Sequence, residues 1–125
     1  MVSGATLRAL SLLLIAILFT VTGELFLKHG MNRVGVIQLS NFLPIMGRIL
    51  RTPAVLVGFG SIGVGAVFWL AVISRVDLSY AYPMLAIGYV LVLLFSSIFL
   101  KEDISLLRWS GALVICVGVY LISRS

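Results

Sequence analysis

The sequence predicts an all-α membrane protein with four transmembrane helices in antiparallel hairpins and a short amphipathic interfacial helix in the first loop. The composition excludes a soluble domain, because 62% of the 125 residues are hydrophobic and only 10% are charged, whereas soluble domains carry about 25% charged residues. The mean hydropathy of +1.23 supports the same conclusion. The apolar residues also form four long runs, each close to the ~20 residues that a bilayer span requires.

The first apolar run, from Ala9 to Leu27, predicts a helix over about 9–28. The basic residue Arg8 in front of it is also typical of a signal peptide, but no small-residue cleavage motif follows the run. Cleavage would leave no soluble domain behind. We therefore expect the helix to remain in the membrane.

The long segment between the first two spans predicts a short amphipathic helix over about 39–51. Asn41 stands where it can cap such a helix, and Pro44 falls in its first turn. Arg48 and Arg51 lie on the side opposite the apolar residues. A helix of this kind lies in the headgroup layer, and an irregular loop is the alternative. The apolar residues at helical spacing are Leu39, Phe42, Leu43, Met46, Ile49 and Leu50.

Three further apolar runs predict helices over about 53–74, 78–100 and 104–123. Arg108 in the last run lies close enough to a helix end for its side chain to reach the interface. Links of three residues join the second run to the third and the third to the fourth, and such short links force antiparallel hairpins. Residues 1–125 are therefore expected to form a single four-helix domain with both termini on one side.

The net charge of +5 does not indicate a nucleic-acid partner, because the basic residues are spread between and beside the apolar runs. This distribution is typical of interfacial anchors. The positive-inside rule favours a cytoplasmic long loop but leaves the orientation open. One cysteine, one histidine and four acids provide no disulfide framework, no metal site and no hydrolytic centre. We therefore predict a protein that is not an enzyme and uses no cofactor or metal.

Glu24 is the only acid inside any of the four runs. Thr20, Glu24 and Lys28 follow one another at intervals of four residues and share one helix face. A polar group within the hydrocarbon costs free energy, which favours a binding role. In that role the lysine meets an anionic head, and the carboxylate meets a cationic group or carries a proton. The alternative is an interfacial Glu24–Lys28 pair that neutralises itself.

The third span carries a second polar face. Tyr82 and Tyr89 stand seven residues apart on one side of the helix, and Pro83 removes a backbone donor, which predicts a helix break. A break beside aromatic hydroxyl groups suits a substrate passage. The alternative for a tyrosine near the helix end is an interfacial anchor. Small residues predict close helix packing or a dimer seam at Gly63, Gly111 and Gly118.

The second half of the chain combines an Ala-Tyr-Pro near a helix start, an acidic link and a glycine-spaced last helix. These features are Ala81-Tyr82-Pro83, Glu102, and Gly111 with Gly118. From Asp77 to Ile122 the chain thereby resembles the second half of an EamA-like unit of the drug/metabolite transporter superfamily.

The first helix adds Gly23-Glu24-Leu25-Phe26-Leu27-Lys28. This segment is similar to the Gly-Gln-x-x-x-Lys of four-helix subunits that flip aminoarabinose-linked undecaprenyl phosphate, with Glu in place of Gln. The small multidrug resistance family is a more distant resemblance. Its members carry a membrane glutamate in the first helix and an Ala-Tyr-x-x-Trp motif, whose tryptophan position holds Leu85 in this chain.

The resemblance implies a multi-pass transporter of the bacterial inner membrane that flips a polyprenyl (undecaprenyl) phosphate-linked sugar or amino sugar. It also implies a homodimer, or a heterodimer with a similar four-helix subunit. The side chains expected to contact the substrate are Glu24, Lys28, Arg33, Arg51, Tyr82 and Tyr89. Lys28, with either arginine, would receive the lipid phosphate, and the other three would contact the sugar. Two alternatives stay open: a proton-coupled exporter of small cations, and a non-transporting membrane partner of a glycosyltransferase complex.

Overall fold

The computed structural model describes residues 4–125, and no β-strand occurs within them. The α-helices are α1 (Gly4–Val34), α2 (Phe42–Arg51), α3 (Pro53–Ile73), α4 (Leu78–Met84), α5 (Ala86–Phe99) and α6 (Leu106–Ser123). Four stretches of this part of the chain are long and apolar enough to cross a bilayer: Gly4–Val34, Pro53–Ile73, Leu78–Phe99 and Leu106–Ser123. The predicted all-α membrane fold with four transmembrane helices is confirmed.

Helix α1 is longer than the predicted 9–28 at both ends. Its polar last turns contain no proline, and Arg33 in the final turn interacts favourably with the negative end of the helix dipole. The helix stops at Gly35, whose φ of 108° lies in the region that favours glycine. The Gly35 N–H closes the end by donating to the Met31 carbonyl at 2.9 Å. The residues from 28 to 33 are therefore helical and not part of a loop.

Helices α1 and α3 approach each other closely enough for their backbones to touch. A Cβ atom added at Gly23 would lie 2.6 Å from the Gly58 carbonyl oxygen, and one at Gly58 would lie 2.7 Å from that of Gly23. The Ser61 hydroxyl donates to the Phe19 carbonyl across the pair at 2.6 Å. Small residues recur every seven positions on the buried side of α1: Ala9, Ala16, Gly23 and Gly30. This pair is the scaffold on which α2, α4 and α5 pack, and α6 packs in turn against α4 and α5.

Helix α2 is fixed to the scaffold by one edge only. Ile45 and Ile49 are buried in a small cluster with Val34 of α1 and Val55 of α3. A 3-10 turn over Leu39–Asn41 leads into the helix. The side chain of Asn41 does not cap α2 as predicted, because it accepts the Gln38 backbone N–H at 2.9 Å instead.

The third span is interrupted at Leu85, two residues after Pro83. The Leu85 N–H donates to the Tyr82 carbonyl at 3.1 Å, and the Gly88 N–H donates to the Leu85 carbonyl at 2.8 Å. These bonds connect residues three apart, so the chain is wound more tightly here than in an α-helix. The interruption divides the span into α4 and α5.

Helix α6 begins at its N-cap Ser105, whose hydroxyl accepts the Arg108 backbone N–H at 3.2 Å. It packs against α4 and α5, and its buried residues are Ala112 and Val119. A Cβ added at any of the three glycines predicted to pack would meet no atom within 4 Å; these are Gly63, Gly111 and Gly118. Within residues 4–125 the close helix contacts fall on other glycines, and the dimer seam stays a prediction about a second subunit.

Candidate functional site

A cavity of about 190 Å³ lies between α1 and the break in the third span. It is lined by Ile17, Thr20, Val21, Glu24, Leu85, Gly88 and Tyr89. Helix α1 supplies the carboxylate of Glu24, and α5 supplies the phenol of Tyr89. The hydroxyl oxygen of Thr20 lies against Gly65 of α3 instead, where an added Cβ would be 2.8 Å from it. Leu85 is the residue at the interruption itself, so the break that follows Pro83 forms part of the wall. The structure therefore brings Glu24 and Tyr89 together, and we call this space the Glu24 cavity.

The polar side chains of the Glu24 cavity are open on one side. Glu24 is exposed, and Tyr89 is 63% exposed. Within residues 4–125 the carboxylate makes no hydrogen bond or ion pair, including with Lys28 one turn along α1. The pair that neutralises itself, predicted as the alternative, is not formed. The carboxylate and the phenol are both available to a ligand or to a second subunit.

Lys28 lines none of the cavities described here, but it shares a face of α1 with Glu24. Four residues correspond to a rotation of about 40° and a rise of about 6 Å, so the ammonium lies on the same side and further toward the end of the helix. Helix α1 has 31 residues and is about 46 Å long, more than the ~30 Å of a hydrocarbon core. Its charged last turns therefore extend beyond the apolar layer, with Lys28 at the boundary.

Arg33 and Arg51 meet at a different place. They line a cavity of about 320 Å³ between the end of α1 and α2, together with Arg48, Val34, Thr52 and Pro53. No acid lines this space, which we call the arginine cavity. Nine residues separate Arg33 from Glu24, which amounts to two and a half turns and about 13 Å along α1. The two cavities therefore lie on opposite faces of that helix.

Arg48 was not among the predicted site residues. The signal for it is its spacing from Arg51, since residues three apart on a helix are neighbours. The side of α2 that carries Arg48 and Arg51 is oriented by the burial of Ile45 and Ile49 against the scaffold. This tertiary packing cannot be derived from the spacing.

Tyr82 lies outside the Glu24 cavity. Its ring makes an edge contact with Trp69 of α3 at 6.1 Å between centroids, and it is 60% exposed. Tyr82 and Tyr89 thus share an open side of the third span but occupy different levels of it.

A larger apolar cavity, which the sequence did not predict, lies on the other side of the contact between α1 and α5. Its volume is about 540 Å³. Phe26, Phe95 and Phe99 contribute aromatic walls, and His29 is a polar group at its edge. Val21 lines both this cavity and the Glu24 cavity. Within residues 4–125 no cluster of three or more His, Cys, Asp or Glu side chains could hold a metal ion.

Four apolar spans define a small multi-pass membrane protein, and an acid lines a cavity between two of them. The chain belongs to the EamA-like transporter family, whose pattern it matches over residues 5–124. It is a protein of the inner membrane.

The chain is similar to proteins named probable 4-amino-4-deoxy-L-arabinose-phosphoundecaprenol flippase subunit ArnE. It is 31% identical to the one from Pseudomonas fluorescens (strain Pf0-1), over 93% of this chain and 97% of that protein. It is 32% identical to the one from Photorhabdus laumondii subsp. laumondii, over 90% and 94%. The match to the Aeromonas hydrophila protein is 41% identical but spans 58% of this chain and 64% of that protein.

No solved structure matches the chain. The relatives are transporter subunits and not enzymes, which confirms the prediction that this chain is not an enzyme.

Proposed function

We propose that this chain is one subunit of a flippase for a polyprenyl phosphate-linked amino sugar. The observation that carries the proposal is the unpaired Glu24 carboxylate in a cavity beside Tyr89, with Lys28 one turn further along the same face of α1. The names of the relatives support the substrate class, because they describe an amino sugar joined through phosphate to a polyprenol.

The charges of such a head group match the order of side chains on α1. The protonated amine of the sugar pairs with the Glu24 carboxylate, and a charge-assisted hydrogen bond is among the strongest available in a dry site. The phosphate carries the opposite charge and is attracted to Lys28. A single sugar ring separates amine from phosphate, and the rise of about 6 Å between the two side chains is of that size. Tyr89 offers its hydroxyl group to the sugar.

The Glu24 cavity is open on one side, so one subunit alone does not enclose a passage for the head group. A charged head group cannot cross hydrocarbon without partners, because burial of an unpaired charge is very costly. Tyr82, seven residues before Tyr89, extends the polar side of the third span by about 10 Å toward the other surface. Both tyrosines face outward in one subunit. We therefore expect a second copy, or a similar four-helix subunit, to close the passage.

Inner-membrane vesicles from bacteria that express the chain test the proposal with any partner subunit present. Undecaprenyl phosphate-linked 4-amino-4-deoxy-L-arabinose is added to the outer leaflet, and protection of its amine from an impermeant amine reagent is followed over time. We expect Glu24→Gln to slow protection by about tenfold or more, since a charged hydrogen bond is lost. Glu102→Gln removes an acid from the α5–α6 link and should leave the rate unchanged.

The N-acetylated lipid provides the second arm of this experiment, because its sugar lacks a positive charge. It has no free amine to label, so in this arm both lipids are followed by protection from impermeant periodate, which cleaves the 2,3-diol that both sugars keep. The N-acetylated lipid should cross slowly with the native chain and gain nothing from the carboxylate. Equal rates for the amine and its N-acetyl derivative, or an unchanged rate in Glu24→Gln, would contradict the proposal.

A second candidate function is export of small cations in exchange for protons. The unpaired state of Glu24 and the modest size of its cavity favour it, since one carboxylate can bind a proton and a cation in turn. The same vesicles with an imposed pH gradient and ethidium distinguish the two. Ethidium uptake that disappears in Glu24→Gln, together with unchanged lipid protection, would establish the exporter in place of the flippase.

A further inference from the structure

We propose that the arginine cavity binds the phosphodiester of an anionic lipid at the membrane surface, as a site separate from the Glu24 cavity. Its cationic residues are Arg33 from the last turn of α1 and Arg48 and Arg51 from α2. For a flippase, this site would hold the lipid head before it enters the passage, and only that role rests on the proposed function.

The charged residues that line the arginine cavity are all positive, which favours binding of an anion. Three arginines line an open space of about 320 Å³ that no carboxylate lines. In the part of the chain that the structure describes, none of the three side chains forms an ion pair. Like charges gathered at one place repel each other, and an anion between them removes the repulsion. Guanidinium groups bind phosphate oxygens in pairs, which makes arginine well suited to phosphate recognition.

The local fold fixes the backbone positions from which these side chains extend. Ile45 and Ile49 fix α2 against α1 and α3, and Arg48 and Arg51 project from the same side of that helix. The Thr52 hydroxyl donates to the Arg48 carbonyl at 2.7 Å, where α2 ends and α3 begins. Because the backbone is already fixed, only the arginine side chains lose conformational freedom when a ligand binds.

The other edge of α2 indicates that the phosphate belongs to a lipid. On α2, Leu43 is 80% exposed and Leu50 is 65% exposed, and Leu39 in the 3-10 turn before the helix is 97% exposed. An amphipathic helix with such an edge lies in the interface, with its leucines in the acyl boundary and its cations among the headgroups. The arginine cavity is then at the depth of lipid phosphates.

The arginine and Glu24 cavities act on a ligand one after the other. Arg33 and Glu24 are about 13 Å apart along α1 and point to opposite faces. Both side chains lean toward the start of the helix, so the offset between them is kept. One sugar ring is far shorter than this distance, and a lipid head at the arginines cannot reach the carboxylate at the same time.

Native mass spectrometry of the purified full chain tests the site by titration with short-chain phosphatidylglycerol. The triple variant R33Q/R48Q/R51Q should bind this lipid about tenfold more weakly than the native chain. The control R8Q/R75Q/R124Q removes the same charge at the opposite end of the bundle and should stay within about twofold. Equal losses in the two variants, or no loss in the first, overturn the proposal.

Three further arms define the ligand. Neutral phosphatidylcholine should bind the native chain and the cavity variant alike. The triple lysine variant R33K/R48K/R51K keeps the charge without the paired donors and should fall between the two. Inorganic phosphate at the concentration of the lipid should not displace phosphatidylglycerol. Displacement by phosphate would show an anion site that is indifferent to the lipid, and this would overturn the assignment to a lipid phosphate.

Glu24→Gln separates this inference from the proposed function. It should bind phosphatidylglycerol as the native chain does while it loses transport of the amino-sugar lipid. If transport is lost in Glu24→Gln and the arginine variant still binds lipid fully, the arginine site is refuted and the flippase stands. If the arginine variant loses lipid binding and Glu24→Gln transports normally, the flippase proposal fails and the lipid site stands.

Discussion

The α1–α3 pair and the group of α4, α5 and α6 are held together in different ways. The pair brings backbone against backbone at Gly23 and Gly58 and adds a hydrogen bond across the interface. In the other group, α6 buries only Ala112 and Val119, and the third span is broken after Pro83. Close backbone contacts leave little room for rearrangement, whereas a broken span and a lightly packed helix can move.

The Glu24 cavity lies between the tightly packed α1–α3 pair and the lightly packed group of α4, α5 and α6. Its acid stands on α1, in the tightly packed pair, and its phenol stands on α5, just after the break. One wall is therefore fixed and the other belongs to the lightly packed group. Alternating access requires that one part of a transporter move against another around a binding site. We therefore expect α4, α5 and α6 to move against the α1–α3 pair.

The largest expected effect is the loss of the tightly packed pair on substitution of Gly58. A valine there would place its Cβ 2.7 Å from the Gly23 carbonyl oxygen, and a backbone atom cannot move aside as a side chain does. We expect Gly58→Val to lower the free energy of unfolding by about 1–3 kcal/mol. Unfolding by sodium dodecyl sulfate in mixed micelles, followed by circular dichroism, measures it.

Gly63→Val is the matched control for this prediction, because it lies on the same helix and a Cβ there meets no atom within 4 Å. In a monomeric preparation it should unfold like the native chain. Similar losses in both variants would mean that α3 tolerates no added volume anywhere, and the contrast between the two regions would disappear.

The features that could be predicted from the sequence are those that depend on residues close together in the chain. Apolar runs predicted the spans, and the proline predicted where the third one breaks, because both effects act within a few residues. Arg33 was expected to share a ligand with Lys28. The structure instead puts it with Arg48 and Arg51, because α1 continues through six more residues and α2 folds back onto its end. Neither the continuation nor the direction of α2 follows from local pattern.

The two tyrosines of the third span also show that local pattern cannot predict tertiary contacts. Tyr82 and Tyr89 have the same residue type and share a face, so spacing alone could not separate them. The break at Leu85 lies between them, and only Tyr89 is brought beside the acid of α1. Tyr82 contacts Trp69 instead. The contacts of each tyrosine depend on packing against another span, which no periodicity records.

A smaller effect, of opposite sign for stability and activity, is expected from Pro83→Ala. Alanine restores a backbone N–H that can donate within the span, which should raise the free energy of unfolding by about 1 kcal/mol. It should also straighten the span and slow transport by several-fold, because the wall of the Glu24 cavity loses its break. Unfolding in mixed micelles and the vesicle assay measure the two effects on the same variant.

Pro44→Ala is the control for this substitution. Pro44 is exposed in the first turn of α2 and lines neither the Glu24 cavity nor the arginine cavity. A backbone N–H there has no partner within the helix, so stability should not rise and transport should keep its native rate. A Pro83→Ala variant that is more stable and transports at the native rate would show that the break is not needed for movement. The lightly packed group would then have to move as one body.

The smallest effect tests the hydrogen bond that joins the tightly packed pair. Ser61→Ala removes the 2.6 Å bond to the Phe19 carbonyl and should lower the free energy of unfolding by about 0.6 kcal/mol, the average for hydrogen bonds between membrane helices. Ser97→Ala is its counterpart in α5, where the hydroxyl donates to the Leu94 carbonyl of the same helix at 2.7 Å. That bond joins no two helices, so its loss should change stability less.

A larger cost for Ser97→Ala than for Ser61→Ala would contradict this expectation, because a bond within α5 would then contribute more to stability than the bond between α1 and α3. A small cost for Ser61→Ala beside a large one for Gly58→Val would show that close backbone contact, rather than hydrogen bonding, makes the α1–α3 pair the fixed part of the molecule.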